Sequence, residues 1–271
     1  MPTVYGPPVS GVVGLEAGEK PVRADFSRRV FDTAIEQKGA RLVWSRGTPC
    51  PCEGLNRQTE QTDPSCALCD GHGWHFFGPK GYAAPVEAGE LDDLQQKLVA
   101  QDGGAVIRGI MTGVGLQQDP VTQLGAWLFG SSMLTVRPEN RLGYYDRIVH
   151  LDSIVPYAQI LRVGNAADPV KTRFLVRAVN LLRSVERRYD EGADFTIETG
   201  VIKWITGRAP SSGTRITVHY LCHPQWLVVE QPKVLREETS KAKGRKRIAP
   251  VGEPVPLPVQ AMIKLEYLVA P

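Results

Sequence analysis

Apolar positions along this chain change their spacing twice. Between residues 25 and 39, Phe26, Val30, Phe31, Ala34 and Ile35 fall on one stripe, with Arg28, Arg29, Asp32 and Glu36 off it or at its edge. That spacing predicts a short amphipathic helix. Asp25 is placed to cap its start, and Gly39 stands where a left-handed residue ends a helix. The helix runs directly into Leu42-Val43-Trp44. Residues 91–99 predict two more turns of helix. Beyond Gly103 the texture becomes β, with strands expected at 105–114, 125–136, 147–151, 159–163, 173–181, 194–198, 201–205, 214–222, 226–230 and 260–269. Ile216, Val218, Tyr220 and Cys222 alternate with Thr217, His219 and Leu221, as a half-buried strand requires. The segment from Phe195 to Trp204 is the clearest piece: two short strands around Thr199-Gly200, a tight hairpin in which glycine supplies the positive φ.

The expected fold class is mainly β with minor α: small β-barrel or sandwich modules, an N-terminal helix and a zinc-stapled loop domain. The 27 Gly and 21 Pro among 271 residues agree, being more turn residues than a helical bundle tolerates. Breaks in the pattern divide the chain into six parts. These are an extended arm at 1–21, a helix and four-cysteine module at 22–80, and a linker with a short helix at 81–101. Next come a first β domain at 102–165 and a second at 166–236. A basic loop, an extended connector and a last strand complete the chain at 237–271.

Charge excludes little but is informative. A net charge of +3 gives no case for a general nucleic-acid binder. The basic run from Glu237 to Arg247 is a solvated loop or a contact for an acidic partner. No window approaches the roughly 18 apolar residues of a membrane span, so no membrane partner is expected. The first twenty residues lack a basic start and a continuous apolar core, which leads to the expectation of a chain made in the cytoplasm.

The chemistry is concentrated in four cysteines. Cys50-Pro-Cys52 and Cys66-Ala-Leu-Cys69 are two close pairs separated by thirteen residues, in a segment too polar for a core of its own. Four thiolates suit one tetrahedral Zn2+. Disulfides are the alternative, opposed by a reducing compartment and by the strain of a CxC bridge. His72 or His75 could replace one thiolate, but four sulfurs already complete a shell. Cys222 reads as an ordinary buried thiol. No nucleotide loop, metalloprotease or serine-hydrolase motif is present and no carboxylate pair stands out, so no catalytic residue is assigned and no enzyme is expected. His150 with Asp152, and Asp146 with Arg147, read as hydrogen-bonded surface groups at strand ends.

Two resemblances follow from these residues. Cys66-Ala-Leu-Cys69-Asp-Gly71-His-Gly73 is similar to one CxxCxGxG half-repeat in the zinc region of J-domain chaperones; its partner here is Cys50-Pro-Cys52, and no J-domain accompanies it. The larger pattern resembles virion proteins of tailed bacteriophages, especially the neck and head–tail connecting group. Three segments carry that likeness. They are Gly47 to Cys52 with the following CxxCxGxG, then Tyr189 to Phe195 with Val201 to Trp204, Pro210 to Thr214 and Val218 to Tyr220, and finally Leu257 to Lys264. The resemblance implies a structural virion subunit in a symmetric ring, whose partners are copies of itself and portal, neck or tail proteins. A baseplate or tail-hub position is the nearest alternative. A zinc-ribbon nucleic-acid module is the alternative of another class, with Trp44, Trp74, Phe76 and Phe77 as its stacking surface. Against it, residues 53–65 hold one Arg and no Lys.

Overall fold

A computed structural model describes residues 28–52, 66, 68, 69, 73–81, 83, 85, 87, 89–113, 130–230, 237, 238, 255, 256 and 258–269. The arm at 1–21, Asp25, Phe26, His72 and most of the run after Glu237 lie outside them.

Helix α1 (Arg28–Lys38) leads into β1 (Ala40–Pro49). Ile35 anchors α1 with no exposed surface, whereas Val30, expected on the same stripe, is 67% exposed. Gly39 ends the helix with its N–H bonded to the Ile35 carbonyl, but without a positive φ. Its role is close approach: a Cβ there would meet the Ile35 oxygen at 2.2 Å.

After the cysteine loop come β2 (Trp74–Phe77), α2 (Asp93–Gln101), β3 (Ala105–Gly113), β4 (Ser131–Val136) and β5 (Arg147–His150). The next six strands are β6 (Val155–Arg162), β7 (Ala178–Ser184), β8 (Arg188–Tyr189), β9 (Phe195–Glu198), β10 (Val201–Trp204) and β11 (Arg215–Cys222). They are followed by β12 (Gln225–Glu230), the two-residue pair β13 (Glu237–Glu238) and β14 (Val255–Pro256), β15 (Val259–Leu265) and a 3-10 turn, Glu266–Leu268. Asp92 caps α2 reciprocally: its carboxylate accepts from the Gln95 backbone, and the Gln95 side chain accepts from the Asp92 backbone.

Strands β1, β3, β4, β15, β12 and β5 pair in that order, all antiparallel, and β5 pairs back onto β1. The sheet is therefore a closed six-stranded barrel. Inside it lie Leu42, Trp44, Ile107, Leu134, Ile148, Val228 and Ile263. Gly109 keeps room for them, because a Cβ would come within 3 Å of both Leu134 and Leu42. The alternate residues Val43, Val106 and Val149 face outward and are covered by Leu98 of α2 and by Leu151.

Strands β6, β11, β7 and β8 form a separate antiparallel sheet in that order. With the β9–β10 hairpin it encloses a second core around Phe174, Leu182, Phe195, Ile202, Ile216 and Tyr220. Along β11 the residues Ile216, Val218, Tyr220 and Cys222 are buried in alternation, as the sequence predicts. Thr199 (φ 46°) and Gly200 (φ 79°) make the expected hairpin turn.

These pairings regroup the parts expected at 102–165 and 166–236. Strand β6 leaves β5 and joins β11 and β7, while β12 returns to the barrel. The barrel also takes β1 from the N-terminal part and β15 from the C-terminal part. The unit from β6 to β11 is thus an insertion between two neighbouring barrel strands.

Candidate metal centre

Strand β1 is longer than the barrel needs. Its first half pairs with β3 and β5, and its second half, Arg46 to Pro49, runs out of the barrel to pair with β2. The ladder closes with the Cys50 N–H bonded to the Gly73 carbonyl at 2.8 Å. The loop that holds the cysteines is therefore the tip of a β1–β2 hairpin rooted in the barrel wall. Trp74 fixes its base by stacking on Tyr145, ring centroids 4.1 Å apart.

At that tip Cys50, Cys52, Cys66 and Cys69 converge, with all four sulfurs within 4.8 Å of one another. Cys50 Sγ is 3.8 Å from Cys66 Sγ, and Cys52 Sγ is 3.9 Å from Cys69 Sγ. No pair is at the roughly 2.05 Å of a disulfide, and the thiols are free. Cys50 and Cys69 are buried, while Cys52 and Cys66 are half-buried. Burial pushes the Cys50 thiol up to about 12, against one N–H from Cys52. Backbone N–H groups of Cys69 and Leu68 aimed at Cys66 bring its thiol down to about 7. Amide donors folded back onto the leading sulfur of each pair stabilise thiolate. The four side chains could hold one metal ion.

The other candidate residues have plain structural roles. His75 is half-buried on β2 and does not belong to the sulfur cluster. Cys222 is 1% exposed in the core of the inserted unit, where burial raises its thiol to about 12. Trp44 lies inside the barrel and Trp74 under Tyr145, so neither is offered for stacking; Phe77 is 43% exposed. Asp152 binds Arg41, and its backbone N–H donates to His150 Nδ1.

Asp146 is not a surface group. It is 1% exposed and accepts from Trp44 Nε1 at 2.8 Å, Arg46 at 3.0 Å, and the Gly143 and Gly47 backbones. Burial raises its carboxyl despite those donors. Its neighbour Arg147 pairs with Asp102 at the end of α2 and lies over the Phe76 ring. Neither contact has a sequence signal, since each joins segments brought together by barrel closure.

The chain matches no model of a known protein family and no curated protein. Among the described residues, no helix is long and apolar enough to cross a membrane.

Proposed function

We propose that this chain is a non-catalytic structural subunit of a tailed-phage particle, working in a ring at the neck between head and tail, and that its four cysteines hold one structural zinc ion. The sulfur cluster carries the reading. Zinc–sulfur bonds of about 2.3 Å arranged tetrahedrally give sulfur–sulfur edges of about 3.8 Å. The Cys50–Cys66 and Cys52–Cys69 separations are 3.8 and 3.9 Å. Zinc supplies charge to offset four thiolates and a cross-link for a loop without a core. With four protein ligands no position is left for water, so the ion serves the fold rather than a reaction.

The assembly reading is supported by the resemblance of the cysteine loop, the β9–β10 hairpin region and the last strand to phage connector proteins. A second support is the free edge of β6, which pairs with β11 on one side and with no described strand on the other. Val163 exchanges hydrogen bonds with the Gly213–Thr214 turn on the β11 side. By alternation, Ala158, Ile160 and Arg162 direct their N–H and C=O groups to the open side, and Pro156 has no N–H to offer. Ile160 is 70% exposed there. Such an edge suits strand addition by another chain.

Elemental analysis of protein purified without chelator should find one zinc per chain; a folded, metal-free protein with two disulfides would overturn the metal assignment. Native mass spectrometry should show a closed multi-copy ring, weakened by deletion of residues 1–15. A strict monomer at every concentration would remove the ring-subunit reading while leaving the zinc site standing.

A further inference from the structure

Strand β6 pairs with β11 along its whole length, and its other edge meets no described strand. Sheet edges are normally blunted by charge, proline or a covering element. Here Pro156 and Arg162 mark the two ends, while Ala158 and Ile160 between them are uncharged and exposed. We infer that this edge receives residues 9–17 of a neighbouring copy's N-terminal arm as an added parallel strand. The neighbouring copy comes from the ring reading; the place comes from the open edge.

The chain has the length and the composition for it. Residues 1–27 precede α1 and lie outside the described residues. Extended at about 3.3 Å per residue they span roughly 90 Å, long enough to pass from one subunit to the next. Residues 1–15 carry no charged side chain, and Val9, Val12, Val13 and Leu15 are apolar, which suits an uncharged edge. Pro7 and Pro8 offer no N–H and bound the usable stretch on one side. Glu16 and Glu19 follow it on the other.

Charge sets the direction. Arg162 and Arg215 stand opposite one another at the end of the β6–β11 pair, both exposed, with no ion pair to either among the described residues. Asp168 borders the same cavity as Arg162 but forms no ion pair with it. Like charges facing across a strand pair are unfavourable, and an acidic neighbour relieves them. A parallel strand with Glu16 beside Arg162 supplies one. In that register Ala158 and Ile160 face Val12 and Gly14, and the arm's N–H groups aimed at β6 belong to Gly11, Val13, Leu15 and Ala17, none of them proline. Leu15 falls beside Leu161, which with Val163, Val170 and Trp204 borders a cavity of about 420 Å³. A second copy's β6 is a poorer occupant: the strand holds no acidic residue, and two such strands about a two-fold axis close a dimer rather than a ring.

The test uses the full chain with the photo-cross-linker p-benzoylphenylalanine in place of Ile160, which is 70% exposed, as an equal mixture of unlabelled and nitrogen-15-labelled copies. After irradiation and digestion, mass spectrometry should find position 160 joined to residues 12–16, with light chains linked to heavy ones. The same cross-linker at Val12, which leaves β6 intact, should mark residues 156–160 in return. The Ala158, Ile160 and Arg162 amides should exchange about tenfold more slowly as protein concentration is raised through assembly. Those of Tyr157, Gln159 and Leu161, already bonded to β11, should not change. Glu16→Lys together with Glu19→Lys should lower the yield of light–heavy cross-links about threefold or more at low salt. Cross-links only to another copy's β6, only to the arm of the same copy, or to no arm residue would each overturn the proposal, as would an unchanged yield in the charge variant. A ring that persists without arm cross-links sinks this proposal and leaves the ring reading standing; a strict monomer sinks both.

Discussion

At the scale of single residues, burial decides chemistry more than residue type does. His150 and Asp152 stand two positions apart, yet their surroundings set them differently. Burial pushes the Asp152 carboxyl up, but hydrogen bonds from the Arg41 side chain and backbone outweigh it and leave the group below its usual value. Burial depresses His150 below its ordinary 6.5, Asp152 opposes that shift, and His223 adds to it. A base depressed in the folded state binds its proton more readily when unfolded, so stability is fully present above 6.5 and declines as pH falls toward the depressed value. Urea unfolding should therefore show stability rising with pH through that window. His150→Gln should flatten the rise relative to the parent chain; an unchanged slope would assign the pH dependence to other groups. The sequence marks His150 as a strand-end residue, but not the neighbours that tune it. His223 enters from the connection between β11 and β12, and Arg41 from β1, more than a hundred positions away.

At the scale of elements, β1 shows why part of the fold was hard to read. Leu42, Val43, Trp44 and Ser45 are all buried, the first and third inside the barrel and Val43 under α2. A strand covered on both faces has no alternation to reveal it. Strand β11 and the Thr199-Gly200 hairpin were legible because one face is polar or the turn chemistry is explicit. The cysteine set was legible because ligand spacing is local, whereas its anchorage on β1 and β2 was not. That anchorage refines what disrupting the proposed metal site should do. Cys69→Ser leaves three sulfurs at the tip, and the ladder from Arg46 to Pro49 against Trp74 to Phe77 has little core beneath it. Amide exchange at 46–49 and 74–77 should accelerate about a hundredfold, while Leu42 to Trp44, held between β3 and β5, stays protected. Equal acceleration along all of β1 would mean that the metal holds the barrel itself.

At the scale of the whole molecule, two cores are threaded on one chain. The barrel closes with strands drawn from Ala40 to Leu265, so no fragment starting at 102 can complete it. The inserted unit differs: every residue of its core, and every partly buried residue packed on that core, lies between Val155 and Cys222. Its two ends are already adjacent, because the His150 N–H bonds the Pro224 carbonyl and Val149 pairs with Gln225. Contacts to the barrel side are both polar and apolar: Arg177 to Asp92 at 2.5 Å, Lys97 to the Thr199 carbonyl at 2.9 Å and Arg173 to Glu266 at 3.6 Å, with Gly200 pressed against Leu94, Leu175 packed on the Val43–Leu98 cluster, and Tyr267 beside Tyr157 and Phe174. A fragment spanning residues 154–223 should therefore fold alone. Near the lower size limit for an unstapled domain, it should be stable by only about 3–5 kcal/mol. Cooperative urea unfolding with the near-ultraviolet signal of buried Tyr220 and half-buried Trp204 checks this. The fragment should bind no zinc, since the four cysteines proposed to hold it all lie outside it. A collapsed fragment without a cooperative transition would show that the barrel is part of the folding unit.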